Sequence, residues 1–361
     1  MWAFYALAFS VFIILHVFCS GTFYYFFPSA VTKTAFWAAP VFCTGLIVLS
    51  FALNRRSTGF FEGIVTMLGH YWTGIIFIIF SVAILMVFSE IIFNFFKIPA
   101  KLWIGRAGLC AMAVFIILGI IGGLMPPKTV TINLKSDKLP VEKLKVVQIS
   151  DTHLGTGVAV KRVKKMVDQV NALEPDLIVV TGDYFENGEK FRAKNAHALK
   201  QMKAKYGVYG VFGNHEFYGG VKKSVEFFKM AGTELLRNDS VEPLPGVVVS
   251  GVDDFASAHI SRSDFAEFLK TINPQKYNIL LQHEPRFYDT AENKVDLMLS
   301  GHTHRGQIFP FHFLVKARYP YFYGLYTRGE TKYYVTSGAF YWGPPMRLFS
   351  RNEIVLFNIE K

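Results

Sequence analysis

The sequence predicts a multi-span α-helical membrane domain followed by an α/β domain. Three observations predict it. The first 127 residues are almost free of charge: they hold six of the 38 Lys/Arg and two of the 27 Asp/Glu in a 361-residue chain of net charge +11. From residue 128 the chain is charged, with an excess of seven positive residues, and short Val/Ile/Leu-rich runs alternate with helical patterns. Several of those runs end in residue types that bind metal.

The apolar part contains four runs of spanning length, about 2–27, 35–53, 71–96 and 104–125. A helix needs roughly 20 apolar residues to cross the bilayer core. Buried helices of a soluble protein would offer water a charged face, and these do not. The first run lacks the basic flank of a signal peptide, since the first lysine is Lys33. With four spans both chain ends lie on one side. Arg55, Arg56, Lys128, Lys135, Lys138, Lys143 and Lys145 share that side, and Lys33, Lys97, Lys101 and Arg106 share the other. The bias predicts an integral protein of the inner or cell membrane with its C-terminal domain facing the cytoplasm. Glu90 and Arg106, near span ends, read as reaching the interface or pairing across the 97–103 loop. Cys19, Cys43 and Cys110 all lie in spans, so no disulfide is expected in the later part.

The join is "GGLMPPKTV", where Pro126 and Pro127 stop the last helix. It divides the chain into a membrane domain, 1–127, and a second domain, 128–361. After "VTINL", strand-like runs recur at 144–150, 176–182, 207–213, 246–252, 277–282, 295–301, 333–339 and 353–359. Between the first two, "VKRVKKMVDQV" puts Val163, Met166, Val167 and Val170 on one helical face. Lys161, Arg162, Lys164 and Lys165 form the other, expected to be solvated.

The residues with chemistry to offer stand at the ends of the strands. "VVQIS" runs into Asp151 and His153, "LIVVTG" into Asp183, "GVFG" into Asn214, His215 and Glu216, "NILLQ" into His283, and "LMLSG" into His302 and His304. In α/β sheets, sites assemble beyond the carboxyl ends of strands, so these residues should converge. Asp151/His153 and His302/His304 are i,i+2 pairs, which an extended chain projects to one side. Imidazoles with carboxylates suit manganese, iron or zinc better than calcium. Asp183 stands alone and central, and a carboxylate can bridge two ions. Glycines before Asp183, Asn214 and His302 permit sharp departures from the strands. His16, His70, His197, His259 and His312 fit no such pattern.

Together these blocks resemble those of the calcineurin-like metallophosphoesterases, over about 144–360. The resemblance implies two β-sheets packed as a sandwich and flanked by helices, with a binuclear metal centre. It implies Asp151, His153, Asp183 and His304 on one divalent ion, and Asp183, Asn214, His283 and His302 on the other. Manganese is the first candidate ion, with iron or zinc as alternatives. His215 would contact the leaving group or a phosphate oxygen and is the catalytic-acid candidate, and Glu216 could hold a ligand histidine in its tautomer. "GDYFENG" lacks the arginine of the protein phosphatases, which argues against a phosphoprotein substrate. "SGHTHRGQIF" is similar to a bacterial membrane-associated subgroup, except that Arg305 replaces the usual glycine; it is a candidate for a substrate phosphate.

"FPFHFLVKARYPYFYGLYTRG", 309–329, interleaves aromatic and basic residues, as membrane interfaces do, although a hairpin with inward aromatics would read the same. The expected function is therefore a membrane-anchored phosphoesterase. It would use metal-activated water on a phosphodiester or pyrophosphate of a lipid or lipid-linked nucleotide, for example UDP-2,3-diacylglucosamine. The expected partners are the bilayer and that phosphorylated lipid or nucleotide-linked substrate, without nucleic acid. A phosphodiesterase for soluble nucleotides and a non-enzymatic membrane scaffold are the alternatives.

Overall fold

The structure is a computed structural model that describes residues 2–30, 32–54, 59–155, 158–186 and 192–361. Arg55 and Arg56, used in the charge-bias reading, lie outside the described residues. The chain forms two compact units.

The first unit is built on four helices, α1 (Trp2–Phe26), α2 (Lys33–Asn54), α3 (Phe60–Phe95) and α4 (Lys101–Leu124). Each is long and apolar enough to cross a membrane. The third differs from expectation, beginning at Phe60 rather than near 71. Apolar counting stops at Glu62 and His70, but neither breaks a helix. Glu62 lies in the first turn, where the positive end of the helix dipole favours a carboxylate. The resulting 36 residues extend about 54 Å at 1.5 Å per residue, beyond the roughly 30 Å hydrocarbon core.

Glu90 also departs from expectation. It is 7% exposed and hydrogen-bonded to Tyr25 and Asn94, while Arg106 lies over the Trp103 ring. His16 is fully engaged, with Nδ1 at 2.7 Å from the Phe12 carbonyl and Nε2 accepting the Trp72 indole N–H at 2.9 Å, which supports a packing role. Two later segments group with the helices, Ile308–Pro310 and Gly343–Phe349. The Phe309 N–H donates to the Leu348 carbonyl, and the Arg347 N–H donates to that of Gly119 at 2.7 Å. Phe349 packs against Phe115 and Phe309.

The second unit contains two six-stranded mixed sheets. Its strands are β1 (Lys128–Lys135), β2 (Lys143–Ile149), β3 (Leu177–Thr181), β4 (Val208–Val211), β5 (Glu234–Leu235), β6 (Asp239–Leu244), β7 (Val247–Gly251), β8 (Tyr277–Leu281), β9 (Leu297–Ser300), β10 (Gly324–Arg328), β11 (Thr331–Val335) and β12 (Glu353–Glu360). The orders are β1-β12-β2-β3-β4-β5 and β10-β11-β9-β8-β7-β6. Alternate residues of both sheets, among them Val146, Leu177, Val179, Ile279, Leu281 and Leu299, form one core between them. Helices α5 (Val160–Asn171), α6 (Arg192–Leu199), α7 (Asn214–Gly219) and α8 (Val221–Ala231) follow the first-sheet strands, and α9 (Arg262–Leu269), α10 (Tyr288–Ala291) and α11 (Phe311–Arg318) the second. The expected layered α/β sandwich is the observed one.

All the expected strands are present. The three that pattern reading missed, β5, β6 and β10, are sheet edges. Edges need little burial, so they tolerate two-residue length, exposed charge and Pro243. In α5 the expected apolar face is buried, but Arg162 is not simply solvated: it donates to the Met125 carbonyl at 3.0 Å and lies over the Phe340 and Tyr341 rings. The 309–329 stretch splits. Tyr321 and Tyr326 pack with Tyr288 and Tyr333, whereas Phe313 and Leu314 on α11 stay exposed.

β2, β3 and β4 run parallel to one another, as do β7, β8 and β9. Parallel neighbours bring their carboxyl ends to one edge, and that edge carries the site.

Candidate metal centre

The sequence-marked residues gather in two groups. In one, the ligand atoms of Asp151, His153 and His304 lie within 4.8 Å of one another; in the other, so do those of Asp183, His283 and His302. In the first, His153 Nε2 is 3.0 Å from His304 Nε2, and His304 Nε2 is 3.4 Å from an Asp151 oxygen. In the second, His283 Nε2 is 3.2 Å from His302 Nδ1, which is 3.1 Å from Asn214 Oδ1. One atom links them: Asp183 Oδ2 is 3.6 Å from His153 Nε2 and 3.2 Å from His283 Nε2.

The extended-chain reading of the i,i+2 pairs does not hold. Asp151, His153, His302 and His304 all have positive φ, from 39° to 70°, as do Asp183 and Arg305. Left-handed backbone at a non-glycine residue costs on the order of 1 kcal/mol, and such strain collects at functional sites. Its effect here is to splay the last pair, so His302 joins one group and His304 the other. Gly182 has φ +87°, and a Cβ there would lie 2.7 Å from His283 Nδ1. At Gly301 close approach, not a turn, excludes a side chain: a Cβ would meet Asp151 Oδ2 at 2.3 Å.

Three of the histidines are held by the nitrogen that faces away from its group. His283 Nδ1 is 2.7 Å from the Thr181 carbonyl, His153 Nδ1 2.7 Å from Glu186, and His302 Nε2 3.1 Å from the Tyr319 hydroxyl. Tyr319 in turn donates to Glu284 at 2.5 Å. Such bonds fix tautomers and turn the opposite lone pair inward. Buried lone pairs converging from three imidazoles and a shared carboxylate fit divalent metal ions.

Glu186, Tyr319 and Glu284 were not assigned these roles from sequence. Glu186 alone left a signal, as an acid three residues past Asp183; Tyr319 reaches the site only through the fold. Among the described residues, Glu216 holds backbone N–H groups and no histidine. It is fully buried, and its oxygens accept the N–H groups of Asp183, Tyr184 and Gly213 at 2.7–2.9 Å. Arg305 stacks its guanidinium 4.3 Å over the Tyr323 ring.

The charges of the site act on one another. Burial disfavours the Asp183 carboxylate, but His283, His215 and His153 outweigh it and hold this carboxyl well below its usual range. Burial also opposes the Glu186 carboxylate, yet His215 and His153 bring it down to about 2. His302, partly buried and facing His283, drops to about 4. Burial works against a charged His215, but Asp183 and Glu186 outweigh it and raise this histidine to about 9; its Nδ1 is 3.0 Å from Glu186. Ions bound at Asp183 would offset that carboxylate. The His215 resonance is therefore expected to titrate near 9 in metal-free protein and about one unit or more lower with Zn²⁺. Identical titration curves with and without zinc would show that His215 does not sense this centre.

Residues 144–306 match the calcineurin-like phosphoesterase family. An uncharacterized metallophosphoesterase of Campylobacter jejuni is 35% identical over 260 residues, covering 70% of this chain and 68% of that protein. The chain belongs to the calcineurin-like metallophosphoesterases. This metallophosphoesterase is also 37% identical to an uncharacterized one of Helicobacter pylori, covering 67% of this chain and 66% of that protein. A zebrafish transmembrane protein with a metallophosphoesterase domain is 34% identical, covering 68% of this chain and 60% of that protein. The chain thus spans about three-fifths to two-thirds of these relatives. Family and donor set make it a metal-dependent phosphoesterase, and its four apolar helices make it a membrane protein.

Proposed function

We propose that this metallophosphoesterase is a membrane-anchored two-metal hydrolase that cleaves a phosphodiester or pyrophosphate bond of a lipid or lipid-linked substrate. Asp151, His153, Asp183 and His304 would hold one ion, and Asp183, Asn214, His283 and His302 the other, with manganese first among candidates and iron or zinc next. The observation that carries this reading is the Asp183 oxygen common to both groups. When bound, two such ions neutralise phosphoryl charge and make water acidic enough to attack near neutral pH.

The chain's own residues supply the rest. His215 protonates the departing oxygen, and Glu186 holds its Nδ1 so that Nε2 is the proton-bearing atom offered to substrate. Arg305 would meet a phosphate oxygen, the second phosphate where the substrate is a pyrophosphate. Arg305→Gly should then raise KM with little change in kcat.

A lipid-borne substrate is favoured by apolar exposure on the catalytic unit. Phe313 and Leu314 on α11 are 60% and 67% exposed, and Tyr218 and Trp342, both exposed, flank the His215 ring at 5.4 and 6.1 Å. Such residues suit a headgroup layer. UDP-2,3-diacylglucosamine, with its pyrophosphate between nucleoside and acyl chains, is one substrate of this kind. We further propose anchorage by residues 1–127, and catalysis by 128–361 on the cytoplasmic face of the cell membrane, as the lysines after residue 127 favour.

The test is incubation of the purified full chain with Mn²⁺ and a membrane lipid extract, with released phosphates and nucleotides identified by mass spectrometry. A parallel assay compares one diester in vesicles and in solution. The expected result is a lipid-derived product and a clear preference for the vesicle form. Equal rates on both forms would instead favour an anchored enzyme for soluble nucleotides.

A further inference from the structure

Asp253 and Asp254 follow β7 as His283 follows β8 and His302 follows β9, and nothing in the hydrolytic reading uses them. The three strands are parallel neighbours, with Gly251 beside Leu281 and Leu281 beside Leu299. Past the strand ends the chains stay in step. The Val252 N–H donates to the Leu281 carbonyl at 3.0 Å, and the Gln282 N–H to that of Leu299 at 3.1 Å. The aspartate pair therefore leaves the sheet at the edge where His283 and His302 stand. Both aspartates are buried, but they are used differently. Asp253 is matched: Arg237 donates to both of its oxygens, at 2.7–3.1 Å. Asp254 Oδ1 accepts the Ser257 N–H at 2.8 Å, and its Oδ2 has no hydrogen-bond partner among the described residues. A buried carboxylate with no cation to face is costly.

Closed off from solvent, that oxygen takes no ligand, but its charge reaches the centre. Burial opposes a charged imidazole at His283 and at His302, where the facing His283 opposes it too; Asp183, Asp151 and Asp254 act in the other direction at both. The two proposed ligand sets differ in what they offer a divalent ion. One holds two carboxylates, Asp151 and Asp183. The other holds the shared Asp183 alone, because Asn214, His283 and His302 ligate as neutral groups. An ion in that second set is short of negative charge, and Asp254 stands on the strand next to it. We propose that Asp254 is a positioning residue for the Asp183–Asn214–His283–His302 set, its buried charge favouring a divalent ion there without ligating it. The inference rests on the two-metal reading above. In a low-dielectric interior such a charge acts across intervening side chains with little screening.

The test uses the metal-stripped full chain in detergent, titrated with Mn²⁺ by calorimetry, with the number of ions bound checked by elemental analysis. Asp254→Asn keeps an oxygen for the Ser257 N–H and removes the charge. It should weaken one of two equivalents by roughly 10–100-fold, the scale for groups standing behind metal ligands. His302→Ala leaves only the Asp151–His153–Asp183–His304 set intact. On that background Asp254→Asn should change affinity by no more than about twofold, as substitutions without a shared partner do. Asp253→Asn, in the same turn, breaks the Arg237 pair; it should lower Tm and leave both affinities as they were. Two equivalents bound as tightly by Asp254→Asn as by the wild type overturn the proposal. So does an equal loss on the His302→Ala background, or a loss in Asp253→Asn as large as in Asp254→Asn, which would trace the effect to the fold of the turn. Fewer than two equivalents in the wild type would overturn the two-metal reading itself, and this inference with it.

Discussion

Asp183→Asn is expected to lower kcat by about a hundredfold to a thousandfold, a scale set by losing a group aimed at transition-state charge, and to reduce bound metal together with it. The substitution keeps the shape and keeps an oxygen for the His215 backbone N–H, which donates to Asp183 Oδ1 at 2.9 Å. It removes the negative charge that the two histidine groups share through Oδ2. Each proposed ion would lose a ligand at once, so the loss should exceed that of His302→Ala, which empties one group only. Metal content by elemental analysis and turnover on a generic diester are the two measurements. Full metal content with activity lost would assign Asp183 to chemistry and not to ligation. Undiminished activity in thoroughly metal-stripped wild-type protein would sink the two-metal reading itself.

The site was legible because each chemical residue comes just after a strand, and strands announce themselves by apolar runs. Asp151, Asp183, Asn214, His283 and His302 each succeed such a run within three residues, and parallel strand order alone brings them to one edge. What supports them was not legible. Tyr319 comes from the α11–β10 connection, and the Thr181 carbonyl that fixes His283 belongs to the backbone, which no residue type marks. The backbone conformation of the paired ligands was not legible for a similar reason. Spacing of two implies one face only if the chain is extended, and the left-handed φ of His302 and His304 cannot be read from "HTH". In the apolar unit hydropathy located the helices but not the true start of α3. Nor did it separate Ile308–Pro310 and Gly343–Phe349 from the surrounding domain, since segments this short carry no periodicity.

Glu216→Ala should be the most destabilising single change near the centre, by about 3 kcal/mol or more, because it strands three buried backbone donors, each at a cost of about 1–3 kcal/mol. The glutamate is fully buried and takes three backbone N–H groups, from Asp183, Tyr184 and Gly213. These belong to the segments after β3 and β4, so one side chain ties together the two turns that present Asp183 and Asn214. At roughly 2–4 °C per kcal/mol for a domain of this size, Tm should fall by about 6–12 °C. Glu216→Gln is the sharper comparison. The amide keeps one oxygen but sets an NH2 against a backbone N–H, since every partner of this carboxylate is a donor. Gln should therefore recover only part of the loss, whereas Asp, one methylene shorter, should recover little because it cannot span the two turns. If Glu216 acts through these turns, metal affinity should weaken in the same order as Tm across the three variants. A full loss of Tm with unchanged metal affinity would confine Glu216 to stability. A Gln variant as stable as wild type would mean that the three N–H bonds do not carry the load assigned to them.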